Sequence, residues 1–198
     1  MNTTMVKNGY NTIAERYLKA RDLGSEKYVR KLMRHLSKGS TIFDVGCGAG
    51  VPVDDLLIKA GHFVKGIDIA ENQIKKARKL CPAGEYWVMD VLDYEAGEEK
   101  VDAIVCLYTL FHVPRGRHGE VIGTFSDSLT RGGLILITMG DVEFEGITDF
   151  HGAKMWWSQW GREKNLQLVR QASFSVIEEV IDLTGGERHQ IILARKKA

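Results

Sequence analysis

The sequence predicts an α/β fold, with a doubly wound, mostly parallel seven-stranded sheet and a C-terminal antiparallel hairpin. Short apolar runs alternate with helical patterns along most of the chain, which is typical of a parallel sheet covered by helices. The runs 41–45 (TIFDV) and 132–140 (GGLILITMG) are almost continuously apolar, as expected for strands buried on both faces. Only Gly185-Gly186 separates the last two predicted strands, 173–184 and 187–196, so we expect them to pair antiparallel.

The first 40 residues have the apolar spacing of helices. Ile13 and Tyr17 lie four positions apart in one pattern, and a second pattern over 25–36 begins at Ser25, a suitable N-cap. The period then changes, and apolar runs typical of strands alternate with helical patterns. The predicted strands are 41–45, 62–69, 85–91, 101–111 and 132–140, and the predicted helices are 53–61, 70–80, 117–130 and 162–172.

Composition and charge narrow the class of protein. The 198 residues fit one domain of ordinary size, with 44% hydrophobic residues to fill its core. The 27 basic and 26 acidic side chains give a net charge of +1, which argues against a nucleic-acid or membrane-surface protein. The N-terminus lacks the apolar centre of a signal peptide, and no apolar run approaches the roughly 20 residues of a membrane span.

The three cysteines, Cys47, Cys81 and Cys106, are far apart and form no C-x-x-C pair. An odd number at these spacings predicts neither a disulfide framework nor a zinc site, and we expect no metal. Three reduced thiols in or near the core are typical of a cytoplasmic protein.

A glycine-rich stretch, FDVGCGAG (43–50), follows the first predicted strand. In open α/β sheets, ligands bind beyond the carboxyl ends of the strands, where Gly46, Gly48 and Gly50 are expected to lie. Glycine permits positive φ and lets a ligand approach the backbone closely. The alternative is a tight strand-to-helix turn that binds nothing.

Two further acids recur at strand ends. Asp68 lies 22 positions after Gly46, where a carboxylate can accept hydrogen bonds from both hydroxyls of a ribose. Asp90 lies a further 22 positions along and can accept from an adenine amino group, with the N–H of Val91 serving a ring nitrogen. Asp44 lies one residue before the end of its own strand. Each acid taken alone can also be a helix cap or a solvated carboxylate.

The residues after the glycines discriminate between nucleotide cofactors. A dinucleotide loop reads G-x-G-x-x-G, whereas position 51 here is Val and Pro52 removes one N-terminal donor of the next helix. Asp54 and Asp55 in the first turn would repel a pyrophosphate. The loop therefore favours a nucleoside without a phosphate chain over a nicotinamide dinucleotide.

With these motifs in order, the sequence resembles the class I S-adenosylmethionine-dependent methyltransferases. FDVGCGAG resembles the first motif of the family, GIDIA the second, VMDVLDY the third and VDAIVCLYTLFHVP the fourth. LTRGGLILIT resembles the fifth strand of the family with its preceding turn. The resemblance runs from about residue 40 to the C-terminus, and it implies a methyltransferase domain over 41–198 behind a helical lid segment over 1–40.

The resemblance also implies which residues bind S-adenosyl-L-methionine and its product S-adenosyl-L-homocysteine. The glycine loop would approach the amino acid part, Asp68 the ribose, and Asp90 with Val91 the adenine. A lid-helix tyrosine, Tyr10 or Tyr17, would lie near the methionyl end. The full predicted cofactor set is Tyr17, Asp44, Gly46, Cys47, Gly48, Gly50, Asp68, Ile69, Asp90, Val91 and Leu107.

Candidates for the acceptor side follow the fourth predicted strand and include Tyr108, Thr109 and His112. Methyl transfer needs an acceptor lone pair in line with the S–CH3 bond, and a general base only where the acceptor must lose a proton. Tyr108 and His112 are the predicted catalytic residues, and His112 titrates close enough to neutrality to be such a base. The alternative for His112 is a purely structural hydrogen bond near a helix start.

The stretch 141–160 is predicted to be irregular and carries three of the four tryptophans. A loop of this length in a compact domain is commonly a functional lid. His151, Trp156 and Trp157 are therefore predicted to bind the acceptor, since aromatic side chains can enclose an apolar or cationic molecule. The alternative is a small satellite core under the loop.

The function predicted is methyl transfer to a small-molecule acceptor by direct in-line displacement. RNA or protein methylation is the alternative within the enzyme class, although an N-P-P-Y signature is missing at 107–110 and no basic-aromatic tract resembles an RNA-binding surface. Two other hypotheses are a nicotinamide oxidoreductase and a non-catalytic S-adenosylmethionine-binding module. We expect no membrane or nucleic-acid partner and leave the choice between monomer and homodimer open.

Overall fold

The computed structural model describes residues 2–20, 23–184 and 187–197. Strands and helices alternate in chain order over most of this length. The strands are β1 (Thr41–Val45), β2 (Phe63–Asp68), β3 (Glu85–Val88), β4 (Val101–Cys106), β5 (Leu129–Gly140), β6 (Phe144–Phe150), β7 (Ala153–Gln159), β8 (Phe174–Asp182) and β9 (His189–Lys196). The helices are α1 (Asn2–Ala20), α2 (Glu26–Met33), α3 (Val53–Lys59), α4 (Glu71–Leu80), α5 (His118–Ser128) and α6 (Arg162–Gln171).

Seven strands form one sheet in the order β3-β2-β1-β4-β5-β9-β8. The pairings from β3 to β5 are all parallel, whereas β9 is antiparallel to both of its neighbours, β5 and β8. The predicted fold class is therefore confirmed, and the last strand of the chain is inserted between β5 and β8. The Gly185-Gly186 turn predicted between these strands lies outside the described residues.

Helices cover both faces of the sheet, which explains the continuous apolar runs. On β4, Ile104 packs into a core with α5 and α6, and its neighbour Val105 packs into a second core with α2 and α3. Both side chains are fully buried. Burying an aliphatic side chain stabilises the fold by about 1.5–3 kcal/mol, so both faces of such a strand must be apolar.

The predicted irregular stretch 141–160 is instead a β-hairpin, formed by β6 and β7. Its turn contains His151 and Gly152, both with positive φ. The two-residue apolar/polar alternation is absent from β7 because Met155 and Trp156, on opposite faces of the strand, are both buried. These two side chains pack with Val6 of α1, and we call α1 and the β6–β7 hairpin together the cap.

The predicted lid segment 1–40 divides into two parts in space. Helix α1 belongs to the cap, whereas α2 packs on the sheet through Tyr28, Val29 and Leu32. The Nζ of Lys27 adds an ion pair with Asp182 of β8 at 2.8 Å. The domain boundary at residue 40 stays a prediction. Within the described ranges, no helix is both long enough and apolar enough to cross a membrane.

Candidate active site

A cavity of about 700 Å³, counted with its opening to solvent, lies beyond the carboxyl ends of β1, β2 and β4 and under α1. This is the position expected for the ligand of a doubly wound sheet. The lining residues are Thr3, Val6, Tyr10, Val45, Gly46, Gly48, Ile67, Asp68, Ile69, Gln73, Met89, Asp90, Val91, Leu107, Tyr108, Thr109 and His112.

The glycine loop is tied to the next strand by its own backbone. The N–H groups of Gly46 and Cys47 both donate to the carbonyl of Ile67, at 2.8 and 3.0 Å. Gly46 has φ +77°, and a Cβ at this position would collide with the side chain of Thr109. The loop therefore needs glycine here for both its backbone conformation and its packing.

Asp68 connects the glycine loop to the start of α4. Its Oδ2 accepts from the N–H of Gly48 at 3.0 Å, and its Oδ1 accepts from the N–H of Ala70 at 2.8 Å. The carboxylate is half-buried on the cavity wall. A carboxylate has about four lone-pair sites, so the oxygens of Asp68 can accept further hydrogen bonds from a ligand.

Asp90 caps the short 3₁₀ turn Val91–Asp93, because its Oδ1 accepts from the N–H of Leu92 at 3.0 Å. Burial raises the pKa of the Asp90 carboxyl, and the hydrogen bond from Leu92 opposes that shift. Asp90 and its neighbours Met89 and Val91 line one end of the cavity. We call Gly46, Gly48, Asp68 and Asp90 together the floor of the cavity.

Three residues of the predicted cofactor set lie behind the floor and do not line the cavity. Asp44 and Cys47 are almost fully buried, and Cys47 packs in a small core with Cys81. Gly50 turns the chain beside the same thiol, and its carbonyl accepts from the Sγ of Cys81 at 3.5 Å. Burial and the nearby Asp54 raise the pKa of Cys81 to about 11, so this thiol stays protonated and inert.

Tyr108, Thr109 and His112 all lie on the cavity wall at the end of β4. Tyr108 has φ +59°, a left-handed backbone that bulky residues seldom adopt and that clusters at functional sites. Its ring makes an edge contact with His189, with centroids 5.2 Å apart. The carboxylates of the floor therefore lie beyond the ends of β2 and β3, and the aromatic rings lie beyond the end of β4.

His112 is hydrogen-bonded through both ring nitrogens. Its Nδ1 lies 2.8 Å from the carbonyl oxygen of Trp156, and its Nε2 lies 2.9 Å from the hydroxyl of Tyr10. A carbonyl only accepts, so Nδ1 carries the proton of the neutral ring and Tyr10 donates to Nε2. Burial lowers the pKa of His112 to about 4, although the hydrogen bond to Trp156 opposes that shift. The ring is therefore neutral at pH 7.

The predicted acceptor residues of the hairpin are not among the described residues that line the cavity. Trp156 is 6% exposed and packs against α1. The ring of Trp157 lies behind His112, with centroids 4.5 Å apart, and its Nε1 donates to Thr148 at 2.8 Å. His151 lies exposed in the hairpin turn. The backbone of Tyr17 lies in α1, and its side chain is outside the described part of the structure.

Several residues that line the cavity were not predicted as site residues from the sequence. Thr3 and Val6 come from α1, Gln73 from α4 and Met89 from the end of β3. Val6 lies four positions before Tyr10, so it is on the same face of the helix. This spacing is the signal by which Val6 could have been predicted. Among the residues described, no three His, Cys, Asp or Glu side chains are grouped closely enough to hold a metal ion.

Comparison with known proteins agrees with this geometry. Residues 42–133 match a family described as a methyltransferase domain. A ubiquinone biosynthesis O-methyltransferase from Neisseria meningitidis serogroup C is 34% identical over 83 residues, which cover 39% of this chain and 35% of that protein. The methyltransferase GfsG of Streptomyces halstedii is 27% identical over 132 residues, covering 63% and 46% respectively. The matched segment thus spans a third to a half of the length of these curated relatives.

Solved structures show the same fold over more of the chain. Magnesium protoporphyrin IX methyltransferase from Synechocystis PCC 6803, with bound S-adenosylhomocysteine, has a TM-score of 0.80 at 17% identity and covers 100% of both chains. A Burkholderia thailandensis 1,6-didemethyltoxoflavin-N1-methyltransferase has a TM-score of 0.78 at 16% identity and covers 97% of this chain and 87% of its own. At these identities the likeness shows the fold alone.

The sheet order, the strand-end cavity and the match over residues 42–133 all point to the same class of protein. Residues 42–133 match a methyltransferase domain, and the sheet has the order of the class I fold, which agrees with the sequence resemblance to the class I S-adenosylmethionine-dependent methyltransferases.

Proposed function

We propose that this protein transfers a methyl group from S-adenosyl-L-methionine to a small-molecule acceptor by direct in-line displacement and releases S-adenosyl-L-homocysteine. One observation carries the proposal: the glycine loop, Asp68 and Asp90 meet on the floor of a single cavity that also reaches Tyr108 and His112. The match of residues 42–133 to a methyltransferase domain supports the cofactor and the reaction.

The residues of the floor fit this cofactor. The backbone of Gly46 and Gly48 leaves room for close approach, as the amino acid part of the cofactor requires. Asp68 presents a half-buried carboxylate for the ribose hydroxyls. Asp90 and Val91 line the end of the cavity where adenine is proposed to bind, beside the apolar side chain of Met89. The further proposed cofactor contacts are Ile69 and Leu107, which also line the cavity.

When bound, S-adenosylmethionine supplies a methyl group that is already electrophilic because it is attached to a sulfonium. The protein therefore has to orient two molecules and exclude water. The floor would orient the cofactor, because hydrogen bonds within the protein already fix the glycine loop against Ile67 and Asp68. The cap excludes water, because Val6 and Tyr10 of α1 close the cavity from above.

The acceptor is proposed to bind over β4, beside Tyr108, Thr109 and His112. A cavity closed by a helix suits a small molecule better than an RNA or protein chain, and two structural neighbours are named for small acceptors, a magnesium porphyrin and a didemethyltoxoflavin. Catalytic roles for Tyr108 and His112, and acceptor contacts from His151, Trp156 and Trp157, stay predictions. A cofactor contact from Tyr17 is likewise a prediction.

The cellular setting is part of the same proposal. All three cysteines are buried and free of disulfides, which supports the proposed cytoplasmic location. The proposed partner is the small-molecule acceptor, with the protein as a monomer or a homodimer.

A screen with methyl-labelled S-adenosylmethionine tests the function. The full-length protein is incubated with a cell metabolite extract, total RNA and cell protein in separate reactions, and labelled products are identified by mass spectrometry. We expect label in a small metabolite, with formation reduced in Asp68→Ala. Label confined to RNA or protein would contradict the acceptor class. Binding of S-adenosylhomocysteine without transfer in any reaction would identify a non-catalytic binding module.

A further inference from the structure

We propose that Tyr10 is a catalytic residue, which takes the proton of the accepting atom and passes its own proton to His112. The acceptor is then a compound that loses a proton on methylation, such as a phenol, an enol or an acidic N–H compound. This inference rests on the proposed function and deepens it, because it assigns the chemical class of the acceptor.

The hydrogen bonds set the direction of proton transfer. The carbonyl of Trp156 fixes the proton of His112 on Nδ1 and leaves a lone pair on Nε2. The hydroxyl of Tyr10 lies 2.9 Å from that lone pair and donates to it. The oxygen of Tyr10 therefore keeps lone pairs of its own, with which it can accept a proton from a molecule in the cavity.

The sheet order places this pair at the acceptor end of the site. Asp68 and Asp90 stand at the ends of β2 and β3, on one side of β1, whereas His112 follows β4 on the other side. Tyr10 reaches the same region from the cap and is half-buried, whereas His112 is 8% exposed. A ligand held by the floor extends from the carboxylates toward Tyr10, so an acceptor at the far end meets the tyrosine hydroxyl first.

The proton and electron balance is simple. A lone pair of the accepting atom forms the bond to the methyl carbon, and the electron pair of the broken carbon–sulfur bond stays on sulfur. The proton of the accepting atom passes to the oxygen of Tyr10, while the original proton of Tyr10 passes to Nε2 of His112. Tyr10 ends neutral and His112 ends as an imidazolium, so the positive charge lost from the sulfonium is kept within the cavity.

A weakly basic histidine suffices for this step. The proton of the accepting atom becomes strongly acidic as its bond to carbon forms, so the relay has to act only in the transition state. Burial keeps His112 unprotonated, with a pKa of about 4, and Nε2 is therefore ready to accept at neutral pH. General-base assistance of this kind is typically worth about 10²–10⁴-fold in rate.

The competing explanation is that His112 is only a structural tie between α1 and the hairpin. Two variants separate these roles. Tyr10→Phe keeps the ring that packs on Phe150 and removes the hydroxyl. His112→Asn keeps a donor for the carbonyl of Trp156 and removes the Nε2 lone pair. Asn8→Ala, at an exposed position of α1, is the control that leaves the pair intact.

The first measurement needs no acceptor. Histidine-selective ¹⁵N NMR of the full-length protein should show His112 with its proton on Nδ1, and Tyr10→Phe should shift the Nε2 resonance. A proton on Nε2, or an Nε2 resonance that Tyr10→Phe leaves unchanged, would overturn the proposal. Calorimetry with S-adenosylhomocysteine is run on each variant, and a wild-type protein that fails to bind it would refute the proposed function itself.

The second measurement is turnover of phenols and hydroxyquinones against proton-free acceptors, namely pyridines and tertiary amines. We expect transfer to the first group alone, with kcat/KM lowered about 10²–10³-fold in both variants while Asn8→Ala matches wild type. The fall of kcat/KM at acidic pH should disappear in His112→Asn. Transfer to proton-free acceptors, equal rates in the variants, or no transfer to either group by a protein that binds the cofactor product would each overturn the relay.

Discussion

The floor of the cavity is held together by backbone hydrogen bonds, whereas the cap above it is held by side-chain packing. On the floor, backbone N–H groups of Gly46 and Gly48 are bound to Ile67 and Asp68. In the cap, α1 meets the hairpin through buried apolar side chains such as Ile13 and Met155. A backbone-built floor suits a fixed cofactor, and a side-chain-built cap can differ between proteins that act on different acceptors.

The two regions also differ in charge. The floor presents the carboxylates of Asp68 and Asp90, while the cap side of the cavity presents Val6, Tyr10 and the neutral ring of His112. The proposed recognition of a nucleoside and the proposed desolvation of the reacting pair thus fall on opposite walls of the cavity.

Replacing Gly46 by Ala should damage the floor most. A left-handed backbone costs a residue with Cβ about 1–2 kcal/mol, and the collision with Thr109 adds about 1–3 kcal/mol. We expect a loss of about 2–5 kcal/mol in the free energy of unfolding by denaturant titration, together with much weaker binding of S-adenosylhomocysteine. Gly39→Ala is the matched control, since Gly39 has φ +78° and open space around it. Equal losses in the two variants would contradict the packing of Thr109 on the loop.

Ile13→Ala should loosen the cap and spare the floor. Ile13 is 1% exposed and packs in the cluster between α1 and β7. Its truncation should therefore lower the stability of the cap by about 2–5 kcal/mol. Hydrogen exchange should become faster in α1 and the hairpin, with β1 and β4 unchanged. Thr4→Ala, at an exposed position on the same helix, is the control. Faster exchange throughout the sheet would mean that the cap and the floor unfold as one unit.

The free energy of unfolding should fall in acid, because His112 is buried as a neutral ring. Its pKa is lowered by burial to about 4 in the folded protein and is about 6.5 when unfolded, so the unfolded chain binds more protons between these values. The contribution of neutral His112 to the free energy of unfolding is fully present above about pH 6.5. The free energy of unfolding should decrease by up to about 3 kcal/mol as the pH falls to about 4. Burial lowers the pKa of His118 in the same direction.

Urea titrations across this pH range measure the effect. His112→Asn should flatten the pH dependence of the free energy of unfolding, because the variant has no imidazole to titrate at this position. An unchanged slope in His112→Asn would mean that other groups cause the acid sensitivity.

Asp68→Ala should have the smallest effect of the four and weaken binding of the cofactor. Loss of a charged acceptor leaves the N–H of Gly48 and the ribose hydroxyls without a partner, which should weaken binding by about 1–3 kcal/mol. Calorimetry with S-adenosylhomocysteine checks this, and Asp93→Ala, at an exposed position near Asp90, is the control. An unchanged dissociation constant in Asp68→Ala would refute the ribose assignment.

The same contrast explains which features the sequence could predict. The floor depends on local signals, since glycines and acids that directly follow apolar strands are brought to one sheet edge by the fold itself. Gly46, Gly48, Asp68 and Asp90 therefore all appear on the cavity wall where the pattern placed them. Asp44, Cys47 and Gly50 follow the same pattern but lie behind the wall, where Cys47 and Gly50 pack beside Cys81, a contact between distant segments that the pattern does not encode.

The cap depends on contacts between segments far apart in the chain. The hairpin was predicted to be irregular because Met155 and Trp156 are buried on opposite faces of β7, which removes the alternation that marks a half-exposed strand. The hydrogen bond from Tyr10 to His112 joins residues 102 positions apart, and no local pattern encodes it. The positive φ of Tyr108 likewise has no glycine to signal it.

The central claim is that the cavity at the strand ends binds an adenosine-containing cofactor through the carboxylates of its floor. A crystal structure of the full-length protein with S-adenosylhomocysteine tests this most directly. We predict ribose hydroxyls within hydrogen-bond distance of Asp68, adenine beside Asp90 and Val91, and the sulfur on the side of Tyr10 and His112. A crystal in which this cavity is empty at saturating ligand, or in which the ligand binds elsewhere, would contradict it.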